Sequence, residues 1–221
     1  VYVDPANKNY DASITPLGTL FNVTVKVNNV VDMKTWQVKM WFNDSIINVT
    51  RWYEPKTDPT YVFYGQSTLP VPAPPKTAYG RASGLGWLGV GVSLFPAPDV
   101  GGGFTGNGLL CILTFNITAL PPPGQTYSCV LNVTNSAGGL DTFLIKAGES
   151  AKTPFDQYQN GNYQIASAPA PYDATIDAYC YTEAKEVNVN IVEDGMPTGF
   201  ITPHSFNGLL GTHTFTVPAS D

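Results

Sequence analysis

The chain reads as an all-β protein, an antiparallel jelly-roll sandwich of about nine strands followed by a small, incomplete β-sandwich unit. Three observations predict this. Phe21, Val23, Val25 and Val27 alternate with Asn22, Thr24, Lys26 and Asn28, and Trp36, Val38, Met40 and Phe42 alternate with Gln37, Lys39, Trp41 and Asn43; period two places each set on one face of a strand. Gly 21 and Pro 19 punctuate the chain at short intervals, as turns between many short strands do. No long stretch shows the 3.6-residue spacing of an amphipathic helix.

Taken in order, Val1–Val3 is a short strand followed by a turn at Asp4–Asn9. Leu20–Val27 and Thr35–Phe42 are two half-buried strands separated by a break at Asn28–Lys34, and Ile46–Thr50 continues as a further piece. Arg51–Pro75 is irregular, aromatic and proline-rich. Its Leu69–Pro75 segment, LPVPAPP, is no central strand, because proline lacks the N–H that a ladder needs. Tyr79–Phe95 is glycine-rich but alternating, one or two strands whose glycines allow close approach; with no Gly-Lys-Ser/Thr and no following helix it is no phosphate cradle. Leu109–Thr118, Tyr127–Thr134, Thr142–Ala147 and Asn162–Ile165 complete the first domain, residues 1–165. Residues 166–171, ASAPAP, form a semi-rigid spacer. Residues 172–221 restart the alternation at Ala174–Tyr181, Val187–Val192 and Thr212–Val217, with a hairpin turn at Asp194-Gly195. Three or four strands bury little, so this unit is either cut short or completed by a partner strand.

Composition narrows the function classes. Net charge is -6 with 13% charged residues, so no basic patch is available to neutralise phosphates and nucleic acid is not a partner. No apolar run reaches the roughly 18 residues of a membrane span. Asn-x-Ser/Thr occurs at Asn22, Asn43, Asn48, Asn116 and Asn132, and Asn22, Asn43, Asn116 and Asn132 fall on the polar sides of their strands, where a glycan has room. An extracellular, cell-surface protein is expected. The chain opens on a strand-like VYV without a signal peptide, as a processed N-terminus would. Cys111 shares a phase with Leu109, Leu113 and Phe115, and Cys129 with Leu131 and Val133; both face the core, either as a disulfide or as two buried thiols. Cys180 is left over.

Catalysis is not expected, since it needs converging acid, base or nucleophile groups. The two histidines, His204 and His213, lie in the small unit, and His213 shares a phase with Phe215 and Val217. Neither Cys-x-x-Cys nor Gly-x-Ser-x-Gly occurs. No cofactor is expected. Calcium is the one metal to consider, because Asp4, Asp11, Asp32, Asp44, Asp58, Asp99 and Asp141 lie mostly in turns; turn formation alone explains most of them. Trp52, Tyr53, Tyr61, Phe63 and Tyr64 are candidates for a protein interface ahead of a sugar platform.

The first domain resembles cohesin-like modules, including those of archaeal surface proteins, through VYVDP, LGTLFNVTVKVNNVVDMKTWQVKMWFNDSIINV, GWLGVGVSLF, GLLCILTFNIT and the closing GNYQI. The resemblance implies a nine-stranded jelly roll and binding of a dockerin-type protein through one face. VNVNIVEDGMPTGFITPHSFNGLLGTHTFTVP is similar to small modules of PEGA or carboxypeptidase-regulatory type, which implies a surface stalk or adhesive spacer. Three classes follow: a structural protein whose subunits associate head to tail into a filament or coat, a cohesin-like receptor for a dockerin-type partner, and a carbohydrate-binding adhesin. For the first, Val1, Tyr2 and Val3 are the expected donor strand for a neighbour's open edge.

Overall fold

The computed structural model describes residues 1–71, 78–82, 85–134 and 141–168, and the strand backbones 172–179, 187–193, 196–204 and 210–217. They belong to two compact units, Val1–Ala168 and Pro169–Asp221. Every regular element among the described residues is a strand.

The first unit contains β1 (Tyr2–Asp4), β2 (Asn7–Asp11), β3 (Leu20–Phe42), β4 (Ile47–Tyr53), β5 (Thr68–Val71), β6 (Ala78–Ala82), β7 (Leu85–Leu94), β8 (Phe104–Ile117), β9 (Thr126–Leu131), β10 (Phe143–Lys146) and β11 (Gly161–Ala166). One sheet runs β4-β8-β3-β7-β5, with β1 and β10 also on β3 and β6 on β7; another runs β2-β11-β9. Pro70 sits in β5, at the end of that path, where a missing N–H is tolerated. β11 ends at Ala166, and the N–H of Ser167 bonds Gln125 O while Ala168 O accepts from Gly124 N–H. The first three residues of the ASAPAP stretch are therefore tied into the first unit.

β3 organises the whole. It is one paired strand of 23 residues, which fully extended would span roughly 75 Å at ~3.3 Å per residue. Yet the ring of Phe42, its last residue, lies 5.3 Å from Phe115, and Phe115 lies 5.7 Å from Phe21 at the strand's start. The strand therefore doubles back. Its turning point is the expected break, where Asn29 and Asp32 take φ of 54° and 55°, a left-handed conformation that Asn and Asp tolerate best among non-glycine residues. The Asp32 carboxylate pins the corner by accepting the N–H groups of Gly101 and Gly103, each at 2.8 Å. Thr105 Oγ1 accepts the N–H of Asp32, and Asn107 Oδ1 that of Asn29. Gly103 is required here, since a Cβ would stand 2.5 Å from the Asp32 backbone.

The first half of β3, from Leu20, pairs with β8, and Thr35–Phe42 pairs with β7. Each half supplies the inner face of one layer. Val23, Val25 and Val27 meet Trp36, Val38, Met40 and Phe42 in a single buried cluster. Each such side chain contributes about 1.5–3 kcal/mol by leaving water. The β2-β11-β9 sheet joins the second layer through a two-bond bridge between Trp41 and Asn132, each N–H···O 2.8 Å.

One expectation is corrected, and one of the two alternatives for the cysteines is found. Val1, Tyr2 and Val3 are not a free donor strand. β1 pairs with Thr24–Lys26 on one side, Tyr2 bridges Gln159 on the other, Val3 is fully buried and Asp4 holds Lys26 in an ion pair. Both edges are thus already used. Cys111 and Cys129 are free, buried thiols. Cys129 shares a small void with Ile47 and Ile117, whereas Cys111 lies roughly 20 Å back along β8 from Ile117 at ~3.3 Å per residue, too far to bridge. Cys111 also falls out of phase with Leu109, because a bulge between them inserts Leu110 into the core.

In the second unit β12 (Tyr172–Tyr179) pairs with β15 (Leu210–Val217), and β13 (Val187–Glu193) with β14 (Met196–His204), all antiparallel. His204 ends β14 and His213 stands opposite Ile176. The Asp194-Gly195 turn, Cys180 and residues 169–171 of the spacer lie outside the described residues.

Candidate interaction surfaces

Because alternate residues of each layer point outward, the first unit presents two outer faces, and their chemistry differs.

On the β4-β8-β3 face, Asn48 stands directly opposite Asn116, Asn116 opposite Leu20, and Asn22 opposite Thr114. Three of the five Asn-x-Ser/Thr asparagines thus fall on three adjacent strands. Asn22 and Asn48 are exposed, while Asn43, Asn116 and Asn132 are half-buried. Thr114 Oγ1 donates to Asn22 Oδ1 at 2.8 Å and accepts from Arg51 Nε at 3.2 Å. Asn116 Oδ1 is buried without a hydrogen-bond partner. Asn43 Oδ1 accepts the N–H of Ser45, and Asn132 Oδ1 that of Thr134; both are tight Asx turns.

The second face, on β7 and the second half of β3, is aromatic. Trp41 and Trp87 are cross-strand partners with ring centroids 6.3 Å apart. The ammonium of Lys39 lies 4.6 Å from the Trp41 centroid and 4.7 Å from that of Trp87, cation–π geometry against both rings. Asp141 holds the same ammonium at 3.4 Å, and the Lys39 side chain is only 19% exposed. Trp87 lies against Gly80 of β6, where a Cβ would stand 2.6 Å from the indole. A cleft of about 260 Å³ opens beside it, lined by Phe42, Asp44, Asn48, Val49, Gly80, Gly86 and Trp87. Among the described residues of β5, β7, β10 and the second half of β3, no Asn-x-Ser/Thr occurs; Asn132 borders this face as the cross-strand partner of Trp41.

The sequence-based aromatic set is only partly a surface. Tyr61 and Phe63 are 2% and 1% exposed, stacked edge-on at 5.9 Å. They are core residues because their loop folds back onto β8: Tyr61 bridges Leu109, and its hydroxyl donates to Glu54 at 2.7 Å. Trp52 packs partly against the core. Only Tyr53 and Tyr64 of the set are exposed, at 39% and 53%. Sequence reasoning misses Trp41 and Trp87 as a pair; the available signal is a tryptophan on the polar side of an alternating strand.

Several ionisable groups of the first unit are shifted by their surroundings. Burial raises the Cys111 and Cys129 thiols above their ordinary values and pushes Tyr10 up to about 12. Asp11 and Asp58 are held below the usual carboxylate range by hydrogen bonds from Ser13 and Thr60. Among the described residues, no three His, Cys, Asp or Glu side chains gather as a metal site would require, and no helix is long and apolar enough to cross a membrane.

The chain is similar to cohesins. A non-cellulosomal cohesin from the hyperthermophilic archaeon Archaeoglobus fulgidus is 14% identical, covering 75% of this chain and 89% of its own, with a TM-score of 0.44. A Clostridium thermocellum cohesin, solved in a type I cohesin–dockerin complex, is 12% identical over 75% of this chain and 93% of its own, with a TM-score of 0.47. A type I cohesin from Pseudobacteroides cellulosolvens is 14% identical over 77% and 96%, with a TM-score of 0.43. No protein-family model matches the sequence, and no curated protein matches it.

Proposed function

We propose that this chain is a non-catalytic, extracellular protein-interaction module of a cell surface, carrying sugar on one outer face and a partner protein on the other. The observation that carries this reading is the difference in chemistry between the two faces, with Asn48 and Asn132 at the border of the second. Three sequon asparagines crowd the β4-β8-β3 face, while the β3-β7 face offers Trp41 and Trp87 around a lysine. Tryptophan is among the residues most enriched where binding energy concentrates. The partner proposed first is another copy of the chain, met head to tail so that this face contacts a different surface of the neighbour, because only such contact runs on into a coat or filament. Val1–Val3 is not the strand it donates, since that segment is used at home. The second reading, a receptor for a dockerin-type protein, rests on the sequence resemblance to cohesins and uses the same face.

Sedimentation of the natively glycosylated protein tests the first reading. Self-association that rises with concentration and is lost in W41A/W87A supports it. A chain that stays monomeric at high concentration but binds a dockerin-type protein through the same tryptophans supports the second. Quenching or protection of Trp fluorescence by free sugar, with no protein partner, overturns both in favour of an adhesin.

A further inference from the structure

Asn48 of β4 and Asn116 of β8 are cross-strand partners, and each heads its own tripeptide, Asn48-Val49-Thr50 and Asn116-Ile117-Thr118. Their flanking residues Ile47, Val49, Phe115 and Ile117 are buried, so both asparagines leave the sheet on the same outer side. Directly opposed residues carry Cβ atoms about 4.5–5.5 Å apart. A sugar ring joined to one amide nitrogen therefore occupies the space above the other. Leu20, 61% exposed, flanks Asn116 on its other side. The two asparagines are also unequal: Asn48 is exposed, whereas the amide oxygen of Asn116 is buried.

We infer that Asn48 and Asn116 make up one modification site that accepts a single N-linked sugar chain, attached at Asn48. Asn116 is a sequon in sequence and a neighbour in space. Its role is to line the base of the Asn48 sugar. The inference rests on the proposed exported, glycosylated state and specifies it.

The test uses the full chain secreted from a host that attaches sugar at Asn-x-Ser/Thr. Glycopeptide mapping is expected to find sugar at Asn48 and none at Asn116. Intact mass is expected to be lower by one sugar chain in N48Q/T118A, and unchanged in sugar content in T118A, which leaves the Asn116 side chain in place. A loss of two chains, a loss of none, or sugar on Asn116 of the wild-type chain overturns the inference. A chain bare at all five asparagines overturns the glycosylated reading along with it, whereas two chains on this pair overturn the inference alone.

Discussion

The two outer faces of the first unit lie on strands whose inner faces are alike, and the contrast between them teaches where specificity is kept. Inside, valines of the first half of β3 meet Trp36, Val38, Met40 and Phe42 of the second half in one cluster. Either layer, seen from the core, is apolar and tightly filled. Outside, one layer presents amides and hydroxyls, the other two indoles and a lysine. Alternation fixes which residues point out, but places no constraint on what they are, so the outer positions are free to carry function.

The first way to break the comparison is from within. Phe115 packs on both Phe21 and Phe42, so Phe115→Ala is expected to destabilise the unit by about 3–5 kcal/mol and to remove both faces together in one urea transition. A smaller cost, or loss of one face before the other, would show that the layers do not share a core. Next comes the corner. Asp32→Ala removes a carboxylate from two backbone N–H groups and is expected to cost about 2 kcal/mol, within the range of hydrogen bonds to charged groups. A cost near zero in urea unfolding would mean that the bend holds without its pin.

The third prediction separates the faces themselves. W41A/W87A is expected to weaken partner binding at least tenfold, about 1.4 kcal/mol, while Asn22→Gln leaves affinity unchanged in the same titration. The reverse result would move the binding face to the other layer. The smallest effect lies at the edge of the first layer. The Asp4 hydrogen bond raises the Lys26 pKa, so this stabilisation is fully present below the ordinary lysine value of about 10.4 and is lost as pH rises through the folded value. Both side chains are about a third or more exposed, which holds the effect to about 0.5 kcal/mol. Urea midpoints at pH 8 and above 11 should differ slightly more for the wild type than for Asp4→Asn; equal differences would show that the pair contributes nothing.

Much of this architecture is legible in the sequence, for physical reasons. Phe21 to Phe42 alternate so strictly that both halves of β3, and the break between them, follow from period two alone. The direction of the chain after the break does not, because it depends on left-handed Asn29 and Asp32 and on glycines some seventy positions away. The Cys111 register escapes the pattern for a similar reason: the bulge at Leu110 shifts phase without altering hydrophobicity. Alkylation of the unfolded, unreduced chain followed by peptide mapping checks that the two thiols are free, with both Cys111 and Cys129 expected to be modified. Tyr61 and Phe63 read as surface residues because their segment is proline-rich and irregular. Their burial comes from a bridge to Leu109 that no local pattern announces. Asn48 and Asn116 are each visible as sequons, but their adjacency exists only in the paired strands.

β2 and β11 lie side by side and run parallel, with Asn7 through Asp11 matched to Asn162 through Ala166. For a protein under tension this sets a loading geometry. A pull entering ahead of β2 and leaving after β11 draws the two strands along their length in opposite directions. Every rung between them is then strained at once, whereas a hairpin pulled from its open end unzips rung by rung. Force transmitted along that path meets the β2–β11 pair in shear.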